Sequence, residues 1–395
     1  MIPILPLSTD HHCTLALEAS IFERLTSAGL GFQKVSEIGS VTPVLLILSG
    51  GTEHLALQAI QPGEHPVVVL AHGNNNSLPA ALEVAARLRQ GGRRGIVFQI
   101  DGDEQRLGNL VNTLNARQQL SGQRLGRIGT PSDWLVASSP DAKIVKQTWD
   151  IELVELEISD LLAETKVVPT EKAQRLAQTF QPRNNDERTP DSRSIASASK
   201  VYFALQKLKD RHNLDALTVR CFDLVESLQT TGCLALSQLN DEGIVAGCEG
   251  DVPATLTMML LTTLTKEPSF IGNPQSIDSQ NNTLWLTHCT IARNLVDHWS
   301  LDSHFESGLG VGIAGTMAPG PITLARFGGS NLDELFVSDG AIVGVGNSPQ
   351  RCRTQLEIRL ELPVREILEN PLGNHHVMVK GHWAHQVREF HNLFF

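Results

Sequence analysis

The first third of the chain alternates short apolar runs with polar stretches that have helical spacing. Pro43 to Leu48 (PVLLIL) ends in Ser49-Gly50-Gly51, Pro66 to Ala71 (PVVVLA) ends in His72-Gly73, and Gly95 to Ile100 (GIVFQI) ends in Asp101-Gly102. Unbroken apolar runs of this length read as strands covered on both faces. Between the last two lies LPAALEVAARLRQ. It predicts a helix with Ser77 as N-cap, Pro79 in the first turn and Gly91-Gly92 as the stop. The opening segment MIPILPLSTDHH reads as a further strand. Strands alternating with helices predict a doubly wound α/β domain over residues 1–122.

A second α/β domain is expected over 123–268. Ile151–Glu157, Ala216–Phe222 and Gly243–Cys248 read as strands, and Thr170–Phe180, Ile195–Arg211 and Val252–Leu264 as helices. The polar stretch QPRNNDERTPDSR between two of those helices reads as an exposed loop. From about Phe270 helical periodicity fades. LWLTHCT, VGIAG, ITLARF, ELFVSDGAIVGV and RTQLEIRLEL follow, separated by Gly and polar turns. They predict a β-rich carboxyl-terminal domain over 269–395.

A chain of 395 residues is too long for one ordinary core. Its formal charge of −11 has no block of like charges, which disfavours a nucleic-acid footprint or a polybasic membrane patch. No apolar run approaches the roughly 18 residues of a membrane span. The amino terminus has no basic n-region, so a cytoplasmic protein is expected. The six cysteines are scattered without a CxxC pair and are expected to be reduced and mostly buried.

The most informative segment is GIVAGCEGDVPATLTMMLL, Gly243 to Leu261. It places Glu249 at the carboxyl end of a strand, beside a helix amino terminus, where open α/β sheets bind ligands. Glu249 is therefore a candidate metal ligand or proton carrier. Asp251 is a second catalytic candidate, and equally an N-cap. His288 ends a strand of alternating apolar residues. His375 and His376 lead into another; adjacent strand residues face opposite ways, so only one can face a given site. His382 and His385 are spaced to share a helix face. Glutamate with neutral imidazoles suits a divalent transition ion. Arg326 and Arg353 are either substrate-facing cations or strand salt bridges. The Ser303–Gly308 step, with His304 and Glu306, puts an ionisable pair beside a turn. There is no HExxH, no Walker lysine and no GxGxxG fingerprint.

Several segments together resemble the L-fucose/L-arabinose isomerase-like proteins, in particular their shorter fucose-isomerase-related branch. They are LSGGTEHLALQAI, LAHGNNNSLPAALEVAARL, RIGTPSDWLVAS, RCFDLVE, AGCEGDVPATLTMMLL, NNTLWLTHCT, SHFESGLGVGI and PLGNHHVMVKG, covering about 48 to 381. The resemblance implies two Rossmann-like α/β domains followed by a β-rich domain, assembled as trimers or hexamers. It also implies a site holding a divalent cation, usually Mn²⁺. Carried over by position, the metal ligands are Glu249, His288 and either His375 or His376; Asn273, Arg326 and His304 are the candidate substrate contacts on the reading of the residues themselves. Asn273 stands where the family has its second acidic ligand; an amide cannot act as a general base at neutral pH. Either Asp251 or Asp278 then moves in, or the chemistry differs. The expected function is metal-dependent aldose–ketose isomerisation of a free or modified monosaccharide, with proton transfer through an enediol. The alternatives are a related lyase or epimerase on a modified sugar, and a non-catalytic sugar-binding protein.

Overall fold

The computed structural model describes residues 1–9, 15–38, 44–63, 65–102, 104–180 and 188–395. Cys13 and residues 181–187 of the polar loop lie outside them. The chain forms two compact units, one of residues 1–119 with 386–395 and one of 120–385. No helix among the described residues is long and apolar enough to cross a membrane.

The first unit carries β1 (Ile2–Leu7), α1 (Leu15–Ser27), β2 (Phe32–Lys34), β3 (Val44–Ile47), α2 (Glu53–Ala59), β4 (Val67–Ala71), α3 (Ser77–Gln90), β5 (Gly95–Gln99) and α4 (Glu104–Leu120). Its strands form one parallel sheet in the order β2-β1-β3-β4-β5. Every residue of β3 and β4 is buried, as apolar runs covered on both faces require. Ser77 does not cap α3; Asn76 holds that place in a left-handed conformation. Ser77 is instead buried inside the first turn, where its hydroxyl accepts from His72 N and donates to Ile47 O. Its side chain thus ties two strand ends together.

The second unit begins with another parallel sheet. Its strands are β6 (Arg124–Ile128), β7 (Glu152–Leu156), β8 (Ala216–Val219) and β9 (Val245–Cys248), in the order β7-β6-β8-β9. The intervening helices are α5 (Ala142–Trp149), α6 (Ile158–Val167), α7 (Thr170–Ala177), α8 (Ser192–His212), α9 (Phe222–Leu228) and α10 (Cys233–Asp241). The strand predicted to reach Phe222 stops at Val219, because Phe222 already opens α9.

Helix α11 (Val252–Thr265) follows β9 and is apolar and buried on nearly every side. Then come β10 (Phe270–Asp278), β11 (Thr283–His288), β12 (His298–Asp302), β13 (Gly312–Thr316), β14 (Gly320–Gly328), β15 (Glu334–Val345), β16 (Thr354–Leu360), α12 (Glu366–Glu369) and β17 (His376–Lys380). Six of these strands close an antiparallel barrel in the order β10-β11-β16-β15-β14-β17, with β12 and β13 as a separate pair. Closure depends on β17, which pairs with β10 on one side and β14 on the other. Its register sets His376 against Gly272, while Thr287 faces Asn273 across the neighbouring pair. One end of the barrel therefore gathers 272–274, 287–288 and 375–376. The helix α13 (Ala384–Phe394) starts after His382, so His382 and His385 do not share a helix; the His382 ring packs at Gly340 O instead.

Candidate metal centre and pocket

Glu249 sits immediately after β9, and its backbone is strained. Its φ of 61° lies in the left-handed region, and Gly250 follows at 73°. Non-glycine residues hold such angles only where their surroundings enforce them. Here Glu249 O accepts from Ser132 N at 2.9 Å. A Cβ on Gly250 would stand 2.8 Å from Pro131 Cα, so only glycine allows the two loops to meet. The loop after β6 also supplies Trp134, whose indole N–H donates to Glu249 Oε2 at 2.6 Å.

His288 at the end of β11 and His375 just before β17 face the other carboxylate oxygen. Their Nε2 atoms lie 3.8 and 3.6 Å from Glu249 Oε1. These separations exceed hydrogen-bond length, so the attraction is electrostatic. One ligand atom from each of the three residues falls within 4.8 Å of the others. All three residues are buried, at 7%, 4% and 0% exposure.

The donor set fits a divalent ion. Each histidine spends its other nitrogen on a partner: His375 Nδ1 on Asp251 Oδ2 at 2.9 Å, His288 Nδ1 on Thr290 Oγ1 at 3.1 Å. Such contacts fix ring orientation and leave Nε2 for a metal. His375 Nε2 is buried without a hydrogen-bond partner, a costly arrangement unless something else completes it.

The electrostatics follow from burial and close opposite charges. Burial alone raises the Glu249 carboxyl, but His288 and His375 outweigh it and hold it well below the usual carboxylate range. Asp251 is likewise pushed up by burial, then held low by the Arg326 charge and His375. Burial lowers His375, yet Asp251 and Glu249 bring it up to about 9. His288 is lowered by burial, only partly offset by Glu249. Burial and the nearby His288 and Arg353 push His304 down to about 4.

In front of this cluster opens a cavity of about 440 Å³, lined among others by Trp134, Phe222, Glu249, His288, Asn273 and His304. Asn273 and His304 thus line this cavity. Arg326 does not. It is fully buried, with Nη1 2.9 Å from Asp251 Oδ2 and 3.0 Å from His375 O, and Nη2 3.0 Å from Ser138 Oγ. It is a buried cation beside Asp251 and does not line the cavity. Asp251 faces Arg326, His375 and the amide of Ala254, which it caps, and so supplies no second carboxylate to the cavity. Asp278 is also absent from it, closing a surface turn on Gln280 and Asn281. His376 points the other way from His375, with its ring 5.4 Å from Phe336, and is not in the cluster. Arg353 is paired with Asp302 at 3.5 Å. Sequence reasoning passed over Trp134 and Thr290. Both lie in segments that carry the family resemblance, RIGTPSDWLVAS and NNTLWLTHCT.

No family model matches the chain. It is similar to sulfoquinovose isomerase of Alkalicoccus urumqiensis, with 26% identity over 309 residues, 74% of this chain and 68% of that protein. The sulfoquinovose isomerase of Clostridium sp. (strain MSTE9) is 28% identical over 230 residues, covering 55% and 50%. That of Priestia aryabhattai is 23% identical over 195 residues, covering 47% and 42%. The matches thus span about two thirds of the first relative and half or less of the other two. The shared name of these relatives supports an isomerase.

Proposed function

We propose that the protein is a metal-dependent aldose–ketose isomerase acting on a modified monosaccharide, with the sulfonated sugar named for its relatives as first candidate. The observation that carries this reading is the convergence of Glu249 with two imidazole Nε2 atoms whose partner nitrogens are already engaged. Glu249, His288 and His375 would hold a divalent ion, Mn²⁺ by the family resemblance, which when bound supplies Lewis-acid polarisation of a sugar carbonyl.

The chain's own residues do the rest. Asp251 and Thr290 orient the two imidazoles, and Arg326 keeps Asp251 ionised behind them. Trp134 holds one oxygen of Glu249 so that the other faces the histidines. Asn273, Gln275 and Asn374 bring amides to the cavity for sugar hydroxyls. The cavity falls in the range of about 300–1,000 Å³ typical of small-molecule sites. A homo-oligomer, trimer or hexamer, belongs to the same reading.

One observation favours a second reading. Among the described residues no Lys or Arg lines the cavity, which suits an uncharged sugar better than a sulfonate. Sulfoquinovose, L-fucose and L-arabinose offered to the Mn²⁺-loaded protein, with ketose formation followed by NMR, separate the two. In either case chelation abolishes turnover and Mn²⁺ restores it. Glu249→Gln loses stoichiometric metal and at least about 100-fold in rate, the lower end for a lost proton-transfer or electrostatic group. Full activity in that variant would refute the assignment.

A further inference from the structure

Two carboxylates line the cavity among the described residues, Glu249 and Glu306. Glu249 is committed. One of its oxygens accepts from Trp134 and the other faces the imidazoles. Asp251 is sealed behind Arg326 with no exposed surface, and Asn273 has no basic atom. An aldose–ketose isomerisation through an enediol still needs a base beside the substrate carbons, and Glu306 is the remaining carboxylate that lines the cavity among the described residues.

The segment that carries Glu306 lies between β12 and β13 and is tightly built. His304 N donates to Leu309 O at 2.9 Å and Gly308 N donates back to His304 O at 2.8 Å. Ser307 Oγ bonds His304 Nδ1 and accepts from Leu309 N. Gly310, at φ 60°, passes so close to Thr231 that a Cβ would lie 2.7 Å from its backbone nitrogen. These contacts fix the backbone of the segment that brings Glu306 to the cavity wall. The two carboxyls also differ in character. Burial and the like charge of Glu249 raise Glu306, whereas Glu249 is held low.

We propose that Glu306 is the catalytic base and acid that carries the proton between C2 and C1 of the substrate. The inference rests on the isomerase reading above. In the aldose-to-ketose direction the C2–H bond breaks and its proton goes to the Glu306 carboxylate. The released electron pair forms the C1–C2 double bond as the carbonyl oxygen O1 takes up the proton that the O2 hydroxyl gives up. The C2–O2 carbonyl then forms, and the C1–C2 electron pair takes the proton from Glu306 at C1, which restores the carboxylate. Two protons move within the sugar and no electrons are gained or lost.

The test uses the full chain loaded with Mn²⁺, with sulfoquinovose in D₂O and NMR detection of both ketose and deuterium at the transferred position. Glu306→Gln is expected to lose 10²- to 10⁴-fold in kcat and the same in deuterium wash-in, the range for a removed general base. Its KM, its Mn²⁺ stoichiometry and its melting temperature stay within experimental scatter of the parent. Glu306→Asp regains part of the rate. Glu249→Gln differs by losing the metal itself. Wild-type turnover with Glu306→Gln within threefold of it overturns the proposal and leaves the isomerase reading standing. No turnover and no exchange by the wild-type protein on sulfoquinovose, L-fucose or L-arabinose overturns both.

Discussion

Replacing Asp251 by Asn removes one charge on which two cations depend and leaves a helix cap nearly intact. Asp251 Oδ1 accepts from Ala254 N at 2.8 Å, and an amide oxygen can do the same. Oδ2 receives Arg326 Nη1 and His375 Nδ1, each at 2.9 Å, and an amide nitrogen there would meet two donors. Arg326 and Asp251 are both fully buried, so the abandoned guanidinium has no water to turn to. Breaking a buried pair from one side costs about 3–5 kcal/mol. Arg326 keeps three neutral acceptors, Ser138 Oγ, His375 O and Leu372 O, which places the loss toward the lower figure. Asp251→Ala adds about 1 kcal/mol for the lost cap. At roughly 2–4 °C per kcal/mol for a unit of this size, Asp251→Asn lowers the melting temperature by about 6–20 °C. The assay is calorimetric or circular-dichroism melting of the metal-free protein, since a bound ion would add its own stabilisation. Asp251→Leu with Arg326→Met removes both charges and should recover most of the loss. A shift under about 2 °C for Asp251→Asn, or a double variant as unstable as the single one, would refute the reasoning.

Two further outcomes follow from the same geometry. Gly250→Ala should cost about 1–3 kcal/mol, because alanine disfavours φ near 73° and its Cβ meets Pro131; on the proposed metal-site reading it should also weaken divalent-ion binding by displacing Glu249. Unchanged melting and unchanged metal titration would show that the two loops are not pressed together. In the metal-free protein His375 is raised from 6.5 to about 9, so its charge stabilises the fold fully below about pH 6.5 and that contribution fades as pH rises toward 9. Glu249 and Asp251 are held low, so their contribution is present above the ordinary carboxylate range near pH 4 and fades on acidification. Melting temperature should therefore peak at mildly acidic pH and fall between pH 7 and 9, and His375→Asn should flatten that fall. A level profile over pH 6–9 in the parent protein would count against a charged His375.

Much of the scaffold was legible along the chain. PVLLIL and PVVVLA are apolar at every position, and burial on both faces of a parallel sheet is what such runs demand. Glu249 could be located because a buried strand, a glycine and a capped helix follow one another within ten residues. Local patterning reported these features because each rests on neighbours in sequence. The loss of helical periodicity after Phe270 likewise announced the β-rich part.

What the sequence left open was decided by pairing between distant segments. Period-two alternation shows that His375 and His376 face opposite ways. Which of them turns to Glu249 depends on β17 entering between β10 and β14 to close the barrel. Arg326 has apolar neighbours whether it faces a ligand or a buried carboxylate; its partner stands 75 residues earlier, on a different element. The same holds for Trp134, which meets Glu249 across 115 residues. Composition and spacing encode which residues are buried and how often they repeat. The identity of the group across a gap is set by chain closure, a long-range free-energy balance that no short window contains.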